Sequence, residues 1–353
     1  MTRAAEIAKR GRTRPCRPRG PGRPPRVAGA VLVALGLLGA VPPRAPAFPP
    51  TAAEPTTART PAAHVDRTTI YVDQVEQTLA RLPQHAAAAA DPETLRRQVL
   101  EQLINRQLVL AFLAERSYAA SREDVELELR RFEARLAARQ RRLADYLAQT
   151  ALSGAELRAQ LLWRLSWQRY LAVNVNDATL ASYFQQHRRD WDGTRIRAAH
   201  VFWKVAEPLD HQAVAEATAQ ADAVRRRIVA GQLTFAEAAQ QHSQAPTTEQ
   251  GGQIGWIDRH EPMPEPFSRA AWQLEPGQIS PPVITPFGVH LIRCEEIEPG
   301  TRQWQDVREP LARALADYLF HWLAERQRRG AVIEYTAAIP RPARGPARRP
   351  AER

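Results

Sequence analysis

The chain has 353 residues, enough for two modest domains with tails. Its formal net charge is +11, but residues 1–47 hold ten Arg and Lys against one Glu, and residues 341–353 hold five Arg against one Glu. Between these ends acidic and basic residues nearly balance, which excludes a basic face for nucleic-acid phosphates as a property of the body.

In chain order, a basic stretch to Arg26 precedes an apolar run over residues 27–41, followed by Ala45-Pro46-Ala47. Fifteen residues rise about 22 Å as a helix, short of the roughly 30 Å hydrocarbon core. The pattern predicts a cleaved export signal over residues 1–47 in preference to an uncleaved anchor at residues 27–41, and an exported, periplasmic body. Cys16 leaves with that signal, so Cys294 stands alone, no internal disulfide forms, and Cys294 reads as a small buried strand residue.

Residues 48–64, rich in Pro, Ala and Thr, predict a flexible linker. A strand is expected at residues 68–72 and a helix at 73–82, with the alanines at 86–90 as a solvent-facing extension. Asp91 before Pro92 marks a helix start, and Leu95, Val99, Leu103, Leu108, Leu110 and Leu113 recur at helical spacing to Arg116. Ser121 and Asp124 form a capping-box pattern ahead of Val125, Leu129, Phe132, Leu136 and Leu143. Ser153 and Glu156 start another helix, carrying Leu157, Leu161, Leu165 and Tyr170, and Asn176 or Asp177 a shorter one. After the central block, residues 304–329 predict a helix, Gly330 its cap and 331–336 a strand. The strands at 68–72 and 331–336 are expected to pair. The tail over residues 339–353 is expected to be disordered.

The central block, residues 196–293, carries the chemistry. Strand alternation puts Ile196, Ala198, His200 and Phe202 on one face of its first strand, and His290, Ile292 and Cys294 on one face of its last. Between them come a helical stretch over 211–230, Phe235 in an alanine-rich helix, the Gly251-Gly252 turn, Met263 and Phe267. Each histidine alone fits a satisfied core residue. Met263 and Phe267 alone fit plain core packing.

The motifs His200-Val-Phe-Trp-Lys204, Gly251-Gly-Gln-Ile-Gly-Trp256, Met263-Pro-Glu-Pro-Phe267 and Thr285-Pro-Phe-Gly-Val-His290 occur in the order found in parvulins. The block therefore resembles the parvulin family of peptidyl-prolyl cis–trans isomerases. That resemblance implies His200 and His290 as a catalytic pair with Thr285 nearby, Ile254, Met263 and Phe267 as the proline slot, and Lys204 as a further substrate-binding residue. It implies no cofactor.

One position departs from the family pattern: Ala245 stands where parvulins usually carry an Asp or Cys hydrogen-bonded into the histidine network, with Gln244 as the neighbouring polar side chain. An alanine cannot orient a histidine, so reduced isomerase activity is expected.

The flanking helices resemble the chaperone portion of exported SurA- and PrsA-type foldases, although a plain helical scaffold or a dimerisation unit fits the same pattern. The expected class is α+β: a helical chaperone-like module at 65–190, rejoined by a C-terminal helix and strand at 299–338, with a parvulin-type domain at 191–298 inserted as a small antiparallel sheet surrounded by helices. The expected partners are unfolded or nascent exported polypeptides with X-Pro bonds. No nucleic acid is expected, and a membrane only through an uncleaved N-terminal segment. The alternative function is a non-enzymatic holdase whose parvulin domain only binds extended peptide.

Overall fold

The computed structural model describes residues 59–82, 91–205 and 210–339. The expected signal, most of the linker, the 86–90 alanines and the tail beyond Ile339 lie outside those residues.

The described chain opens with a strand, β1 (Pro61–Val65), inside the stretch expected to be linker. It turns at Asp66 into β2 (Thr68–Tyr71) and runs into helix α1 (Val72–Leu79). Asp66 takes the left-handed conformation, φ 51°, which a short polar side chain tolerates. Its carboxylate accepts from the Val332 N–H at 2.9 Å and its own N–H donates to the Val332 carbonyl at 2.9 Å. The hairpin turn thus clamps the returning strand β7 (Ile333–Tyr335).

The sheet order is β2-β1-β7. The expected direct pairing of the 68–72 and 331–336 strands is therefore corrected: both pair antiparallel with β1, which lies between them. The sequence of β1, Pro-Ala-Ala-His-Val, carries only a weak strand signal, with Val65 its single β-branched residue. Its alanines instead let helix α2 (Pro92–Glu115) close on the sheet, with Ala62 and Ala63 fully buried. Ile339, at the expected start of the tail, is also buried in that core.

Helix starts follow local chemistry. Asp91 accepts from the Thr94 N–H at the head of α2. Reciprocal capping boxes at Ser121/Asp124 and Ser153/Glu156 open α3 (Arg122–Ala137) and α5 (Gly154–Asn174). Leu143 does not extend α3: the chain breaks at Gln140, φ 56°, and Leu143 begins α4 (Leu143–Thr150). Asn176 caps α6 (Asp177–Gln186), and one turn, α7 (Arg188–Trp191), leads out of the module.

The last helix, α11 (Arg308–Arg328), returns across this scaffold behind a short 3-10 turn at Trp304–Val307. It ends at Arg328 with Arg329 as its cap, one residue before the expected glycine cap. Leu323 and Ala324 join Val109 and Leu113 of α2 and Tyr170 of α5, while Leu311 and Leu315 cover Leu180 and Phe184 of α6. Arg328 ties the layers, donating to Glu101 at 2.7 Å and Asn105 at 2.8 Å.

The inserted block is a four-stranded antiparallel sheet of order β4-β3-β6-β5: β3 (Arg195–Lys204), β4 (Gln253–Asp258), β5 (Val283–Thr285) and β6 (Gly288–Glu298). Helices α8 (His211–Val229) and α9 (Phe235–His242) cover one face through Val201, Trp203, Val289 and Leu291. Helix α10 (Glu265–Ala271) covers part of the other, where Phe267 meets Ile196, Ala198, Ile292 and Cys294. Cys294 is fully buried, as its strand position predicts.

The block's entry and exit run side by side. The Gly300 N–H donates to Thr194 Oγ1 at 3.1 Å, and the Arg302 N–H donates to the Asp192 carbonyl at 2.8 Å. A side chain at Gly300 would collide with the Asp192 backbone, so glycine is what allows the two segments to touch. The fold is α+β, a helical module interrupted by a small sheet domain.

Candidate active site

β3 and β6 pair with Phe202 opposite His290 and His200 opposite Ile292. His200, Phe202 and His290 therefore share one face, and their rings stack. Phe202 and His290 have centroids 4.6 Å apart at 24°, and the two histidines 5.4 Å apart at 20°. From α10, Phe267 meets both imidazoles edge-on, at 6.0 Å and 5.4 Å. None of Phe267 is exposed, so it lies behind the rings as a floor.

A line of polar contacts runs through the pair. The two Nδ1 atoms are 3.3 Å apart. His290 Nε2 is 2.9 Å from Thr285 Oγ1, and His200 Nε2 is 3.2 Å from Thr247 Oγ1. Thr285 sits at the tight turn between β5 and β6, where its oxygen accepts from the Phe287 N–H at 3.2 Å and lies 3.2 Å from the Gly288 carbonyl.

Burial lowers His200 to about 4, and burial followed by repulsion from His200 lowers His290 to about 3. Both rings are neutral at pH 7, each with one N–H and one bare nitrogen. Only two arrangements satisfy the whole line. In one, Thr285 donates to His290 Nε2, His290 Nδ1–H to His200 Nδ1, and His200 Nε2–H to Thr247. In the other every bond reverses and Thr285 donates to the Gly288 carbonyl.

The loop before the glycine turn builds the outer edge of β3. Ser243 Oγ accepts from the Phe202 N–H at 3.1 Å, and Gln244 Oε1 accepts from the Lys204 N–H at 2.7 Å. Gln244 is thus occupied with backbone and does not reach the histidines. The His200 N–H donates to the Gly252 carbonyl at 2.8 Å. Gly252 has φ 82°, and a Cβ there would run into the His200 carbonyl and the Ala239 side chain. The turn presses its backbone directly onto the histidine strand.

Of the residues expected from sequence, His200, His290 and Thr285 converge. Ile254 and Met263 are half-buried on the same apolar cluster as Phe267. Lys204 stands exposed at the end of β3. Ala245 is buried and offers the histidines no polar group, while Thr247, two residues on, lies 3.2 Å from His200 Nε2 as its partner. The sequence signal was the Thr247-Thr248 pair ahead of the glycines. Phe202 was placed on the correct face by alternation but not foreseen as a stacking partner.

The PPIC-type PPIASE domain family model matches residues 200–296, and a SurA-like N-terminal domain model matches residues 50–180. Among curated relatives, the chaperone SurA of Cupriavidus metallidurans is 41% identical over 129 residues, covering 34% of this chain and 25% of the relative. The chaperone SurA of Aromatoleum aromaticum is 26% identical over 232 residues, covering 63% and 51%. This chain thus spans a quarter to a half of the length of those relatives. Among solved structures, the peptidylprolyl isomerase PrsA of Bacillus anthracis is 20% identical, covering 65% of this chain and 96% of that one, with a TM-score of 0.37.

The central block is a parvulin-type domain of the PPIC class. The N-terminal stretch matches a SurA-like N-terminal domain, so the chain combines these two kinds of domain.

Proposed function

We propose that the chain is an exported folding factor that speeds cis–trans isomerisation of X-Pro bonds at the His200/His290 site and holds unfolded chains on its helical module. The observation that carries the catalytic part is the complete hydrogen-bonded line Thr247, His200, His290 and Thr285, set over an apolar floor. The work divides as residues 65–190 with 299–338 for client binding and 191–298 for isomerisation, behind an N-terminal export segment over residues 1–47.

Rotation about an X-Pro bond faces a barrier of about 18–20 kcal/mol because amide conjugation is lost in the twisted state. The planar amide is the more dipolar form, so moving it from water to an apolar slot disfavours it relative to the twisted form. Ile254 and Met263 form the slot walls for the proline ring, and Phe267 is the floor under the imidazoles. Neutral rings suit this chemistry, since a charged imidazolium would draw water into the slot. A line that reverses as a unit offers the substrate either a donor or an acceptor without creating a charge. Lys204, at the open end of β3, contacts the client chain beyond the proline.

The test is a proline-peptide isomerisation assay on the full chain. Thr247→Val keeps the shape but removes a hydrogen bond worth about 1–1.5 kcal/mol, and is expected to lower kcat/KM roughly tenfold. Thr247→Ser restores most of the rate. Background rates for the wild type, with clients still held, would leave the holdase reading.

A further inference from the structure

Away from the histidines, Arg106 of α2 carries a charge that no carboxylate among the described residues pairs. Its guanidinium lies over the Trp163 ring, 5.0 Å from the centroid. Trp163 stacks on Trp167 at 5.8 Å and 9°, and Trp167 stacks on Tyr170 at 5.4 Å and 16°. Phe320 of α11 meets both tryptophans edge-on, at 5.8 and 6.0 Å. Three helices therefore converge on one aromatic ladder, and Trp163, Trp167 and Phe320 each keep part of their surface exposed.

Among the described residues no carboxylate or hydrogen-bond acceptor answers Arg106, and burial alone pushes its guanidinium down to about 10. Two other half-buried arginines of the module are ion-paired. Arg164 meets Glu128 at 2.8 Å, and Arg328 meets Glu101 at 2.7 Å. A half-buried cation without a carboxylate works against stability, and stacking on a ring offsets only part of that. Retaining one beside a half-open aromatic ladder fits a site completed by an anion from outside.

We infer that Arg106 with Trp163, Trp167 and Phe320 forms a recognition site for an extended peptide, which sets a carboxylate side chain on the guanidinium and a neighbouring aromatic side chain on the ladder. This rests on the client-binding reading above and narrows it to acidic-aromatic segments. A side-chain carboxylate reaches a recessed cation on its own stem. A chain-terminal carboxylate would carry its unpaired backbone amide against the rings. The pair formed is a charge-assisted, partly desolvated hydrogen bond, stronger than one in open water.

Two end-blocked peptides without proline, alike except for Glu or Gln beside a phenylalanine, are titrated onto the full chain by tryptophan fluorescence. The Glu peptide is expected to bind about tenfold more tightly. Arg106→Met removes that difference and raises the melting temperature, because it deletes an uncompensated cation. Arg106→Lys keeps part of the discrimination. Equal affinity of the two peptides for the wild type overturns the inference. So does a lower melting temperature for Arg106→Met with discrimination intact, which would mean the chain's own acidic residues answer the arginine. An aggregation assay separates the two levels: a wild type that slows aggregation without telling Glu from Gln loses only this inference, and one that does neither loses the client-binding reading as well.

Discussion

His200 and His290 are held in the neutral state by their surroundings, and that has a thermodynamic consequence. Their folded values near 4 and 3 lie below the unfolded value of about 6.5. On acidification the unfolded chain takes up protons first, so stability is full above pH 6.5 and falls as the pH drops towards 4. Urea midpoints at pH 7.5 and pH 5 are expected to differ more for the wild type than for a His200→Gln, His290→Gln double variant. Equal losses would mean the histidines titrate alike in both states. At this scale the sequence showed much: the two histidines, Thr285 and the apolar residues all stand in the motifs that pointed to them. Thr247 was hidden because the partner of a loop hydroxyl depends on how the loop folds back, which no spacing rule supplies.

At the scale of elements, the helices declared themselves through caps and periodicity. The Asp91, Ser121, Ser153 and Asn176 starts all accept from backbone N–H groups as their side chains predict. β1 did not, because its alanines pair through backbone and pack by being small, leaving no apolar alternation to read. The Gly251-Gly252 turn shows the opposite case, a local signal with a long-range purpose. Gly252→Ala forces a Cβ into the His200 carbonyl at positive φ. It is expected to destabilise the sheet domain by about 2 kcal/mol or more, and to lower isomerase activity beyond that loss by displacing His200. Chemical denaturation together with the rate of the remaining folded fraction checks both. A variant with unchanged midpoint and rate would mean that the turn does not press on the strand.

Across the whole molecule, the helical module is closed only by the last segment. α11 fills the seam between α2, α5 and α6, and β7 completes the sheet through β1 and the Asp66 clamp. A chain ending after residue 298 would expose Val109, Leu113, Leu180 and Phe184 together. It is expected to lose helical circular dichroism well beyond the share of α11 itself, while the sheet domain keeps its own melting transition. Retention of the remaining helices would show that the module does not need its return. The insertion was legible in sequence from the resumed helix after the central block. The middle strand of the outer sheet and the unpaired charge of Arg106 were not, since both depend on what three-dimensional packing brings near.

The central claim is that the line of Thr247, His200, His290 and Thr285 makes this domain an active isomerase despite Ala245. It is tested most directly by the cis–trans relaxation rate of a proline peptide with the full-length wild type, Thr247→Val and Thr247→Ser. The account predicts a wild-type rate clearly above the uncatalysed one, a roughly tenfold fall in kcat/KM for valine and recovery for serine. A wild-type rate at background, or valine and wild type alike, would contradict it.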